Sequence, residues 1–94
     1  MTEISQTINL PSQESAIAIA GSGEANLSLL SRQTGVKVVL RGQDLMLFGK
    51  EKAVKRTATI IASLKPFWET NKTITEPDIL TAFQAVDTLS LIHI

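Results

Sequence analysis

Gly21-Ser22-Gly23-Glu24, then Asn26-Leu27-Ser28-Leu29-Leu30, then Gln33-Thr34-Gly35-Val36-Lys37-Val38 is the stretch on which the fold turns. A tight glycine-rich turn precedes a helix expected over 24–33, with Leu27 and Leu30 on its buried side and Gly35 as its left-handed exit. Val36, Val38 and Leu40 alternate with Lys37 and Arg41, the pattern of a half-buried strand, although Val39 adds an apolar residue to the second face. Arg41-Gly42-Gln43-Asp44 reads as a short turn and Leu45 to Phe48 as the return strand. The clearest helix comes next, over 50–64. Val54, Ala58, Ile61 and Leu64 form its apolar stripe, Lys52, Lys55 and Arg56 lie outside it, and Pro66 prevents continuation.

Upstream, Ile4 and Ile8 alternate along residues 3–9, broken by Gln6, and predict a first strand. Leu10-Pro11 ends it, and alanine-rich 16–20 favours a short helix that Ser12 or Ser15 can cap and Gly21 stops. Downstream, Phe67 and Trp68 flank a breaker, which suits a packing plug better than a base-stacking platform. Thr75-Glu76-Pro77-Asp78 signposts another helix, with Ile79, Leu80, Phe83 and Val86 as its apolar face. The order is β-α-α-β-β-α plus one further helix. The expected class is therefore α+β: a three-stranded sheet with helices on one face and an extra C-terminal helix.

Ninety-four residues suit one small domain. Its expected divisions are 1–66 as the core fold, 67–88 as linker and additional helix, and 89–94 as a non-native tail. That tail, Leu-Ser-Leu-Ile-His-Ile, is what a transposon-end sequencing adapter encodes, so the natural frame is expected to stop near Thr88. It carries the only histidine, His93. The longest purely apolar run, residues 16–20, is too short to span a bilayer, and the start lacks the features of a secretory signal. With no cysteine, neither disulfides nor thiolate metal sites arise. The expectation is a cytoplasmic chain with no membrane partner.

Formal net charge is zero but unevenly spread. Residues 32–65 hold eight bases against Asp44 and Glu51, a net +6, in a segment able to attract phosphate. Catalysis finds little to work with. A phosphate-cradling loop needs four residues between its glycines and a hydroxyl after the lysine. Gly42 and Gly49-Lys50-Glu51 offer six residues and a carboxylate. Gly21-Ser22-Gly23 begins a dinucleotide fingerprint, but Asn26 stands at the third glycine. No nucleophile–base pair suggests itself, and Glu76 and Asp78 read as helix-start residues. No enzymatic activity, catalytic residue, cofactor or metal is expected of this chain.

The element order resembles the type I KH module, in which a GXXG loop clamps the nucleotide backbone. Ala20-Gly21-Ser22-Gly23-Glu24, Leu27, Gln33-Thr34-Gly35, Val38, Gly49 and Val54 match it in spacing, with Glu24 in place of the last glycine. The wider string is similar to the N-terminal domain of PhoH-like ATPases. Leu10-Pro11-Ser12, Gly23 to Leu27, Thr34-Gly35, Val39 to Gln43, Leu64-Lys65-Pro66 with Trp68, and Asp78 to Ala82 carry that resemblance across residues 6–88.

The resemblance implies a KH-like domain for RNA binding or positioning, ahead of a P-loop ATPase core that uses ATP and magnesium and is not in this chain. Its implied partners are single-stranded RNA and that downstream core, through which an oligomer could form. The implied contacts are the backbone at Gly21, Ser22 and Gly23, then Asn26 to a phosphate or base edge, then Arg32, Lys37 and Arg41 as the bases nearest the groove. Glu24 at a helix N-terminus would be favoured by the dipole, so glycine there would cost helix stability. Two other readings stay open: an interaction module contacting the ATPase core or a neighbouring subunit, and a stand-alone small KH RNA binder.

Overall fold

The computed structural model describes residues 3–92. In chain order its elements are β1 (Glu3–Asn9), α1 (Gln13–Ala20), a 3-10 turn (Ser22–Glu24), α2 (Ala25–Thr34), β2 (Lys37–Arg41), β3 (Asp44–Lys50), α3 (Glu51–Ser63), α4 (Lys65–Trp68) and α5 (Glu76–Ile92). The three strands form an antiparallel sheet in the order β1-β3-β2. The arrangement is α+β and consistent with a KH-like fold. His93 and Ile94, the end of the expected tail, lie outside the described residues. Among the described residues no helix is long and apolar enough to cross a membrane.

Strand alternation decides which face of the sheet is covered. Leu45 and Leu47 on the central strand are fully buried, and their cross-strand neighbours Ile8, Leu40 and Val38 pack against the same core. Met46 and Phe48 point the other way and are only half-buried. Helix α2 lies on β2, α3 lies on β1 and β3, and α1, α4 and α5 pack behind these two helices. Val54, Thr57, Ile60 and Ile61 form the buried side of α3. Thr57, buried with them, donates its hydroxyl to Ala53 O at 2.8 Å and so brings no unpaired polar group into the core.

Local chemistry sets the element ends. Ser12 caps α1 by accepting from Ser15 N at 3.1 Å. The helix starts three residues before the alanine run that suggested it. Gly35, at φ 75°, ends α2 with its N–H on Ser31 O. Leu64 leaves helical geometry (φ −90°, ψ 1°), so α3 stops at Ser63, one residue short of the expected end, and Pro66 sits in the first turn of α4. Asn71, at φ 61°, closes α4 with the paired bonds Lys72 N to Phe67 O and Asn71 N to Trp68 O. At the start of α5 the Asp78 carboxylate accepts from both the N–H and the hydroxyl of Thr75, at 2.9 Å each.

The segment from Phe67 to Val86 packs into the main core. Trp68, Ile74, Ile79, Ala82 and Phe83 belong to the same buried cluster as Leu30 and Ile61. Trp68 also donates its indole N–H to Ile61 O at 3.0 Å, which makes it a plug and not a stacking surface. Leu80, expected on the buried face of α5, is 40% exposed. The stripe runs Ile79, Ala82, Phe83, Val86, and Leu80 stands about 100° off it. Arg56, expected outside the apolar stripe of α3, forms a bidentate pair with Asp87 at 3.1 Å and lies 5.1 Å from the centre of the Phe83 ring.

Candidate nucleic-acid interface

The turn between α1 and α2 is built from left-handed backbone. Gly21 (φ 75°, ψ 178°) occupies a region that only glycine enters readily, and its N–H closes α1 on Ile17 O. A Cβ at Gly21 would stand 2.7 Å from Nδ2 of Asn26, so space forbids a side chain as firmly as torsion does. Gly23 (φ 60°) is open, with nothing within 4 Å of where a Cβ would sit. Glu24 comes next at φ 59°, ψ 28°, a second left-handed residue in a row, and its side chain makes no capping bond.

That geometry corrects two expectations. Helix α2 begins at Ala25, not at Glu24. Glu24 also holds the conformation that the absent glycine of the GXXG pattern would adopt without strain, so glycine there relieves the backbone.

The other candidates separate around this turn. Asn26 is 5% exposed, and its Nδ2 donates to Ile74 O at 2.7 Å. Its amide works inside the fold and is not offered to a phosphate or base. Ile74 N in turn donates to Ala18 O at 3.3 Å, so the segment before α5 is held on both sides of the turn. Gly21 and Ser22 border a depression with Ile17, Ala18, Asn71 and Thr73. On the opposite flank, α2 and the free edge of β2 enclose an open groove of about 440 Å³. Arg32 and Lys37 meet there with Glu24, Ser28, Ser31 and Val39. Arg41 does not line it, being four residues further along β2, roughly 13 Å away at ~3.3 Å per residue.

Ser28 and Ser31 were missed in the sequence, yet they fall with Arg32 on one face of α2 by i, i+3, i+4 spacing. Charge pairing sharpens the picture. Lys55, Arg56 and Lys65 are held by Glu51, Asp87 and Glu69. Arg32, Lys37 and Arg41 have no ion-pair partner among the described residues. Of the eight bases in the +6 segment, Lys55, Arg56 and Lys65 are neutralised locally, while Lys50 and Lys52, like the three just named, have no ion-pair partner among the described residues. Among the described residues no group of three or more His, Cys, Asp or Glu side chains is placed to hold a metal ion.

Comparison with known proteins gives a match at the level of sequence. A PhoH-like protein of Synechocystis sp. is 53% identical over 88 residues. This chain matches a fragment of a PhoH-like protein. The match takes in 94% of the chain but only 27% of the relative. Most of the PhoH-like relative therefore has no counterpart here. No family model and no solved structure matches the chain.

Proposed function

We propose that the chain is an RNA-engaging domain of a PhoH-like protein, which holds the sugar-phosphate backbone of a single strand at Gly21–Glu24 and along the α2–β2 groove. One observation carries the reading: a turn with Gly21, Gly23 and Glu24 all at positive φ stands beside a groove whose bases, Arg32 and Lys37, have no ion-pair partner among the described residues. Gly23 has open space where a side chain would block a phosphate. The exposed hydroxyls of Ser22 and Ser28 can donate to phosphate oxygens, and Arg32 and Lys37 supply charge. The Glu24 carboxylate opposes this and sets a modest affinity. Base identity goes largely unread by such contacts, which suits positioning better than sequence selection. ATP hydrolysis with magnesium, implied for the family, would belong to the part of the relative that this chain does not match.

Anisotropy titration with a labelled single-stranded oligoribonucleotide tests the proposal. Two or three phosphate contacts predict binding that weakens roughly 7- to 20-fold between about 50 and 200 mM salt. Absence of salt-dependent binding would overturn it. A second reading has its own support: Ile17 is 70% exposed beside Gly21 and Ser22, an apolar contact for a protein partner such as the downstream core. A flat RNA titration would favour that alternative.

A further inference from the structure

The sheet face turned away from the helices is ordered by its register into cross-strand rows. Ser5, Phe48 and Lys37 form one row, and Thr7, Met46 and Val39 form the next. Phe48 and Met46 are half-buried on the central strand while Leu45 and Leu47, of opposite parity, are sealed beneath the helices. Lys37 and Val39 also line the α2–β2 groove, because β2 is an edge strand reachable from its free side. The groove and the open face therefore share these residues, and Phe48 lies one strand spacing, about 4.8 Å, beyond the groove.

We propose that the single-strand site continues around the β2 edge onto this face, with Phe48 as a stacking platform for one base and Lys37 as the phosphate contact joining the two parts. The proposal rests on the RNA-binding reading given under Proposed function. A base on Phe48 would be bordered by the Ser5 and Thr7 hydroxyls. Arg41, on the same face and without an ion-pair partner among the described residues, would meet the departing backbone. The Asp44 carboxylate already accepts from Asn9 Nδ2 at 2.6 Å. The apolar centre amounts to Val39, Met46 and Phe48, each only half-buried and rimmed by hydroxyls and bases. That is small for a protein interface and fits a stacked base with adjacent phosphates.

Affinities of a tetranucleotide and a decanucleotide of uridine, measured for the wild-type chain, Phe48→Leu and Lys37→Gln, test this. Phe48→Leu should weaken the decanucleotide about tenfold and leave the tetranucleotide unchanged, while Lys37→Gln weakens both. Should Phe48→Leu unfold, 4-thiouridine crosslinking of the wild-type chain replaces it. Adducts on the tryptic peptide Gly42–Lys50 are expected, and adducts confined to the turn and α2 would overturn the proposal. If wild type binds but Phe48→Leu binds both oligonucleotides equally well, the platform is wrong and the RNA reading stands. If wild type binds neither, both fall.

Discussion

Glu24→Gly is expected to leave the domain more stable than Glu24→Gln, a difference that helix-dipole reasoning does not give. At φ 59°, ψ 28° the residue lies in the left-handed region, where a Cβ costs roughly 1–2 kcal/mol. Glycine avoids that cost but loses about 0.5–1 kcal/mol more backbone entropy on folding. The carboxylate also interacts favourably with the N-terminus of α2, and any neutral replacement forfeits this. Glu24→Gln is therefore the proper reference, since it removes the same charge, keeps most of the shape and retains the strain. Glu24→Gly should exceed it by about 0.5–1 kcal/mol, or roughly 3–6 °C in thermal midpoint for a domain of this size. Circular-dichroism melts of the two variants in one buffer provide the comparison. A Glu24→Gln melt equal to or above that of Glu24→Gly would refute the reasoning, because the backbone would then carry no relievable strain. Both variants should also bind single-stranded RNA several-fold more tightly than wild type at low salt, with a smaller gain at high salt.

Two further outcomes concern the core. Asn26→Ala removes the donor to Ile74 O and leaves a buried carbonyl unsatisfied, so urea unfolding should show a loss of about 1–3 kcal/mol. A chain ended after Pro66 gives up burial of Trp68, Ile74, Ile79 and Phe83. At about 2 kcal/mol each that approaches the whole stability of a typical domain, so the truncated chain should lack a cooperative unfolding transition.

Periodicity made much of this fold legible in the sequence. The β1 span, the alternation in β2 and β3, and Val54, Ile61 and Leu64 of the α3 stripe emerged because one face of each element is buried and the other is not, although Thr57 and Ile60 are buried on α3 and Ala58 is only half-buried. What stayed hidden depends on partners far along the chain. Asn26 looked like a ligand contact because its acceptor, Ile74 O, is 48 residues away. Arg56 could be placed no further than outside the α3 stripe because Asp87 is 31 residues away. Leu80 was assigned to the buried face by hydrophobicity alone, and only the geometry of α5 against α3 removes it. At the turn, the glycine spacing was readable, but the left-handed torsion of Glu24 was not, since glutamate seldom adopts it. Arg32, Lys37 and Arg41 were set nearest one groove only through the resemblance, whereas the pairing of β2 with β3 and the seating of α2 over that edge bring Arg32 and Lys37 together there and leave Arg41 outside its lining.

The two hydrogen bonds on Ile74 bear on how the turn fluctuates. Its N–H is fixed to Ala18 before the turn and its carbonyl to Asn26 after it, while its side chain is buried. Opening the turn therefore requires releasing residue 74 as well, and the two segments should exchange their amide protons as one cooperative unit. An incoming ligand meets a turn whose freedom was already lost when the chain folded. Little further ordering remains to oppose association, and the contribution of each contact, however weak, is retained in the affinity.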